Sequence, residues 1–147
     1  MCLIIDNNVA SQVLVDREHP DFSPIYRSIE SRRTILIHGG QLTKEYSGNR
    51  RVMEALEELD RIGAARRISD TKIGPELSFV HDSGRCISDD PHIIALARAS
   101  GARVLCSLDR DLATDFKNPR LLSPKGKVYK RREHARRLLA TACLGCH

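Results

Sequence analysis

Tryptophan is absent, and phenylalanine and tyrosine occur three times each, so aromatic residues make up only 4% of the 147-residue chain. That scarcity argues against a platform that binds single strands by stacking one base after another. No run approaches the roughly 18 apolar residues that span a bilayer. The opening Met1-Cys2-Leu3-Ile4-Ile5 meets Asp6 without a basic leader, so neither a signal nor a transit peptide is expected. The expected location is cytoplasmic, with no membrane partner. Gly39-Gly40 and Gly126-Lys127 lack the G-x-x-x-x-G-K-S/T spacing, which excludes a P-loop nucleotide hydrolase. The five cysteines, Cys2, Cys86, Cys106, Cys143 and Cys146, are an odd set and read as reduced thiols rather than as a disulfide frame. Cys143-Leu144-Gly145-Cys146-His147 spells the C-x-x-C-H haem-attachment pattern, but no export signal precedes it and no pocket follows it. A zinc site there would need a fourth ligand, for which His134 or a second chain is the nearby candidate, so frayed, reduced thiols are the expected state.

Hydrophobic residues make up 41% of the chain and charged residues 29%, the balance of one globular domain. A chain of this length buries roughly two thirds of its unfolded surface. The net charge of +5 is unevenly spread. Between Lys117 and Arg137 nine cations face Glu133 alone, a local +8, which leaves the remainder at −3. Phosphate backbones reward such clustering by releasing counterions, so Lys125, Lys127, Lys130, Arg131, Arg132, Arg136 and Arg137 are candidate nucleic-acid contacts. The competing interpretation is a solvated basic helix.

Cys2 to Ile5 is an all-apolar run that reads as a strand buried on both faces. A helical stretch opens at Asn7 and Asn8, and Phe22, Ile25, Tyr26 and Ile29 repeat at helical spacing before a second strand at Thr34 to Ile37. One helix is expected from about Lys44 to Ile62, with Gly63 as its stop. Ala64 to Ser69 is a weaker strand, and Asp70 to Arg85, with Gly74, Pro75 and Gly84, reads as loop or hairpin. Asp89 and Asp90 precede a helix that Pro91 begins, Arg103 to Ser107 is a strand, and Asp111 to Phe116 is a short helix. This alternation predicts an α/β fold, a three-layer α/β/α sandwich around a mostly parallel central sheet. The domain is expected over residues 1–120, with 121–147 as a basic C-terminal extension.

Two of these strands deliver acids just past their carboxyl ends, Asp6 and the Asp109/Asp111 pair, the edge where open parallel sheets bind ligands. Asp89 and Asp90 stand at a helix start, and Glu45 is expected in the first turn of the helix after the second strand. Carboxylates that converge repel one another, and such a cluster survives by sharing a proton or holding a cation. Hard oxygen ligands suit Mg²⁺ or Mn²⁺. Singly, Asp6, Asp90 and Asp111 could each be no more than a helix cap; jointly they favour a metal.

Four segments in order resemble the PIN-domain nucleases. Ile5-Asp6-Asn7-Asn8-Val9 is similar to that family's D-x-N opening, and Leu42-Thr43-Lys44-Glu45 to its second acid. Asp90-Pro91-His92-Ile93-Ile94-Ala95 resembles its D-x-x-I-x-A helix, and Ser107-Leu108-Asp109-Arg110-Asp111 its closing T/S-x-D-x-D. The resemblance covers about residues 1–120 and implies a PIN-like fold. It places the catalytic, metal-holding acids at Asp6, Glu45, Asp90 and Asp109, with Asp111 as an outer or second-metal ligand and Asn8 and Ser107 as supporting polar groups. Leu108 departs from the pattern, where the family usually has Asn. Asp89 is read as a cap, because Ile93 falls three residues after Asp90. The implied activity is that of an endoribonuclease using Mg²⁺ or Mn²⁺ to leave a 5′-phosphate and a 3′-hydroxyl. Small single-domain PIN proteins include toxins held by an antitoxin protein and nucleases that process RNA, and many form homodimers; all of these stay open.

Two other classes compete. A catalytically inactive PIN-like module would bind nucleic acid without cutting it. A phospho-acceptor receiver domain would place its acceptor after a middle strand and a lysine after a later one, and no clean counterpart exists here. His38, His81, His92 and His134 are assigned no role, although His92 lies one turn inside the Asp90 helix.

Overall fold

A computed structural model describes residues 1–139. Five strands form one sheet in the order β3-β2-β1-β4-β5, with every neighbouring pair parallel. β1 (Cys2–Ile5) lies at its centre, and its four apolar side chains are buried, as a strand covered on both faces requires. α1 (Asn7–Leu14) and α2 (Ser23–Glu30) lead to β2 (Ile35–His38). α3 (Gly40–Tyr46), α4 (Arg50–Arg61) and β3 (Ala65–Arg67) complete one half of the sheet. α5 (Asp70–Ser83) and α6 (Pro91–Ser100) carry the chain back to β4 (Val104–Cys106) on the other side of β1. α7 (Arg110–Phe116) and β5 (Lys127–Tyr129) follow, and a 3₁₀ turn (Arg132–His134) runs into α8 (Ala135–Leu138). The result is the expected three-layer α/β/α sandwich, with the sheet wholly rather than mostly parallel.

Four expectations change. The helix expected from Lys44 to Ile62 is two helices, because Ser47-Gly48-Asn49 interrupts it. The Asn49 side chain accepts the backbone N–H groups of Arg51 and Val52 at 3.1 and 3.2 Å and so starts α4 afresh, a cap worth about 1 kcal/mol. The stretch from Asp70 to Arg85 is a helix rather than a hairpin. Pro75 costs α5 an internal hydrogen bond, but Ile73, Leu77 and Val80 recur on one stripe that packs on the core, and Gly84 closes the helix at φ 63°. Arg98 of α6 pairs with Glu76 at 2.6 Å and lies over the Phe79 ring, tying α6 to α5.

The third change concerns the basic segment, whose described residues, 121–139, pack into the domain rather than extending from it. β5 hydrogen-bonds to β4, and Leu121, Leu122, Val128, Tyr129 and Leu138 are buried in the same core as β1. The Tyr129 hydroxyl donates to the Asp21 carbonyl at 2.6 Å, which ties the end of β5 to the loop before α2. Of the cysteines expected to be reduced, Cys86 and Cys106 are free, whereas Cys2 is disulfide-bonded. Cys143, Cys146 and His147 lie outside the described residues. No helix among those residues is long and apolar enough to cross a membrane.

Candidate metal centre

Strand order reverses between β1 and β4, since the chain builds outward from β1 through β2 and β3 and then returns to its other side. At such a switch point the connections leave the sheet in opposite directions and open a crevice at the carboxyl rim. Asp6 follows β1 directly, and its N–H donates to the Cys106 carbonyl at 2.9 Å, pinning the two strand ends together. Asp6 as a whole is 6% exposed, and its carboxylate accepts the Ser107 hydroxyl at 2.7 Å. Ser107 Oγ in turn accepts the Asp109 N–H at 3.0 Å. Asp109 caps α7 through one carboxylate oxygen, which accepts Leu112 N–H at 3.0 Å.

The second half of the site comes from α3 and α6. Glu45 lies in the last turn of α3, not the first as expected, and its Oε1 meets His92 Nε2 at 2.7 Å. Asp90 stands at the N-cap of α6, but its side chain makes no capping bond. The cap role expected of Asp89 is not seen, for that residue is exposed and outside the helix. Ligand atoms of Glu45, Asp90 and His92 lie within 4.8 Å of one another, close enough to share one cation.

Electrostatics tie the two halves together. Burial, and then repulsion from Asp90 and Asp109, holds the Asp6 carboxyl above its ordinary value, against the Ser107 hydroxyl and the Asn8 backbone N–H, which favour the charged form. Asp90 is raised by burial and by Glu45, Asp109 and Asp89, with His92 opposing. The acids thus feel one another's charge, and a bound cation would relieve that repulsion. The two carboxylates of Glu45 and Asp90 and the His92 imidazole form a mixed oxygen and nitrogen donor set that could hold one metal ion. The remaining predicted residues sit differently. Asp111 is exposed in the first turn of α7, outside the Glu45, Asp90 and His92 group. Asn8 is exposed and contributes its backbone N–H to Asp6.

Two residues that no role was assigned prove important to the site's geometry. His92 belongs to the cluster, and its place one turn inside the Asp90 helix was the available signal. Asp115, near the end of α7, is 1% exposed. Its carboxylate accepts the backbone N–H groups of Ile87 and Ser88 at 3.1 and 2.9 Å and the Cys86 thiol at 3.1 Å. Ser88 Oγ then accepts the Asp90 N–H at 3.3 Å, so the helix that carries Asp109 also anchors the loop that delivers Asp90. Burial and the Asp115 acceptor push the Cys86 thiol up to about 11, which keeps it a donor at neutral pH.

Of the cations named from sequence, Lys130 and Arg131 lie at the same rim, whereas Lys127 pairs with Val104 at the opposite end of the sheet. Ser107 N–H donates to the Tyr129 carbonyl, so Lys130 and Arg131 begin one strand beyond Ser107. Lys125, Lys127, Lys130, Arg131 and Arg137 line a depression of about 570 Å³ along the β5 edge, and Arg132 and Arg136 face a second one beside α2. The chain matches no protein-family model, and comparisons with curated proteins and with solved structures return no match.

Proposed function

We propose that this chain is an endoribonuclease that hydrolyses RNA phosphodiesters with the help of Mg²⁺ or Mn²⁺. The observation that carries the proposal is the close grouping of Glu45, Asp90 and His92 at the switch-point rim, with Asp6 and Asp109 near enough for the acids to raise one another's carboxyls. Glu45, Asp90 and His92, with Asp6 and Asp109 beside them, would hold the cation. When bound, it would supply Lewis-acid activation of water and screening of charge at the scissile phosphate.

The chain's own groups do the rest. Ser107 fixes the rotamer of Asp6, and the Asp109 N–H fixes Ser107, so two acids from different strands keep one relative geometry. His92 steadies Glu45, and Asp115 holds the loop before Asp90. Lys130 and Arg131, one strand from Ser107, offer cations to the phosphates flanking the cut, contacts that position a strand without reading its sequence. The resemblance of the four acidic segments to PIN-domain nucleases supports the same activity and implies 5′-phosphate and 3′-hydroxyl products.

The test is cleavage of end-labelled single-stranded and hairpin RNA by the purified chain with Mg²⁺, with Mn²⁺ and with excess EDTA. Cleavage restricted to the metal-containing reactions is expected. Undiminished cleavage in EDTA removes the metal role, and RNA binding without cleavage under every condition points to an inactive binding module.

A further inference from the structure

The groove between α2 and α8 is lined by four arginines, Arg27, Arg33, Arg132 and Arg136, with Pro24 and Ala135 among its apolar walls and no carboxylate among its lining residues. Its volume is about 420 Å³. Arg27 and Arg33 come from the α2–β2 region, about a hundred residues from the basic segment, and only the fold brings them beside Arg132 and Arg136. Gathering four like charges costs energy unless an anion joins them.

The composition is selective. The depression on the β5 side is mostly lysine, whereas this groove holds arginine alone among its cations. A guanidinium binds phosphate through two parallel N–H bonds and is more weakly hydrated than an ammonium, which suits it to lasting phosphate contacts. Arg132 is partly set in place, its Nη1 donating to the Pro20 carbonyl at 3.2 Å and its backbone N–H to Asp21 at 3.2 Å. The location is also directional. Arg132 follows Tyr129, at the carboxyl end of β5, and β5 is two strands from β1 and Asp6. At about 4.8 Å per strand the Arg132 end of the groove lies two strands, roughly 10 Å, from the strand of Asp6, while Arg33, whose carbonyl accepts from the Met1 amino group, marks its other end at the amino edge of the sheet. On the β5 side, burial followed by Arg131 and Arg137 lowers the His134 imidazole, a sign of positive field around the same segment.

We infer that the groove of Arg27, Arg33, Arg132 and Arg136 is a backbone-phosphate site for an RNA strand that continues from the acidic rim along α2. This rests on the proposed nuclease function for its choice of ligand, but it concerns binding and is testable without cleavage. Arg27 and Arg33 are exposed, so their replacement leaves the core intact.

The experiment measures anisotropy of a labelled 20-nucleotide single-stranded RNA in EDTA, over a range of NaCl, with wild type and with Arg27→Gln/Arg33→Gln. Each lost phosphate contact lowers the slope of log K against log salt by about 0.7 for a single strand. The double variant is expected to lose about 1.4 from that slope and to bind more weakly, with Mn²⁺ affinity unchanged. A control, Arg51→Gln/Arg61→Gln on α4, removes the same charge elsewhere and is expected to keep the wild-type slope. An unchanged slope in the groove variant, or an equal fall in the control, overturns the inference. So does loss of binding to a poly-glutamate peptide with RNA binding intact, which would assign the groove to an acidic protein. If RNA binds through the groove yet is never cut with Mn²⁺, the nuclease proposal fails and the groove assignment stands.

Discussion

Replacing Asp115 by Asn probes how α7 holds the site together. The carboxylate is buried and meets three donors, the N–H groups of Ile87 and Ser88 and the Cys86 thiol, on its two oxygens. An amide keeps one acceptor oxygen and turns an NH₂ group toward donors that cannot accept from it. Losing one or two hydrogen bonds to a charged group, each worth about 1.5–3 kcal/mol, predicts a destabilisation of about 2–4 kcal/mol. For a domain of this size that lowers Tm by roughly 5–12 °C, measured by thermal melting in EDTA. The loop from Arg85 to Asp89 then loses its anchor, and with it the position of Asp90. Mn²⁺ affinity, measured by calorimetric titration below the melting range, is expected to fall about tenfold, the lower end for a residue that orients ligands. Because Asp115 acts through Asp90, the same substitution in an Asp90→Asn background should cost no further Mn²⁺ affinity. A lower Tm with wild-type Mn²⁺ affinity, or fully additive losses in the double variant, would refute the link between this anchor and the site.

Metal-free Asp6→Asn is expected to melt at or above wild type at pH 7. Asp6 and Asp90 both bind protons more tightly folded than unfolded, mainly through burial, so their contribution to stability is greatest below the ordinary carboxyl value near 3.8. It declines as pH rises through their raised folded values and is gone above them; the advantage of the Asn variant should therefore shrink toward pH 4 in a series of melts. Gly126→Ala would set a Cβ 2.1 Å from Phe116 Cε1 and 2.9 Å from the Phe116 carbonyl oxygen, and a loss of about 1–3 kcal/mol or more is expected in urea denaturation. Truncation after residue 124 removes β5 and the buried Val128, Tyr129 and Leu138, so circular dichroism should show an unfolded chain rather than a folded domain with weakened RNA binding.

The elements legible in the sequence are those whose burial pattern is local. Cys2 to Ile5 and Val104 to Cys106 are short apolar runs ended by polar residues, and a strand covered on both faces leaves that signature. α5 was hidden because Gly74-Pro75 carries a strong turn signal, while the stripe of Ile73, Leu77 and Val80 that outweighs it gains its energy only against α6. β5 was hidden because Lys125, Lys127 and Lys130 give its stretch the composition of a tail, while Val128 and Tyr129 find their burial beside β4. At the site, Asp6, Asp90 and Asp109 were visible as acids at element ends. Asp115 was not, since its partners are 27 to 29 residues away and its role is a contact between α7 and a loop. His92 lies two residues from Asp90, a spacing that on a helix places side chains on different faces; it joins Asp90 because Asp90 sits at the N-cap, where the backbone is not yet helical.

The most direct measurement of the central claim is the rate of Mn²⁺-dependent cleavage of one labelled RNA by wild type, Asp6→Asn, Asp109→Asn and Asp89→Asn, each shown to be folded by its metal-free melting curve. With Asp6 and Asp109 at the rim and Asp89 outside the cluster, the first two variants should lose most of the activity while keeping their metal-free stability, and Asp89→Asn should retain most of it. Cleavage by Asp6→Asn and Asp109→Asn at the wild-type rate, or a steep fall in their metal-free Tm, would mean that these carboxylates support the fold and do not serve the reaction.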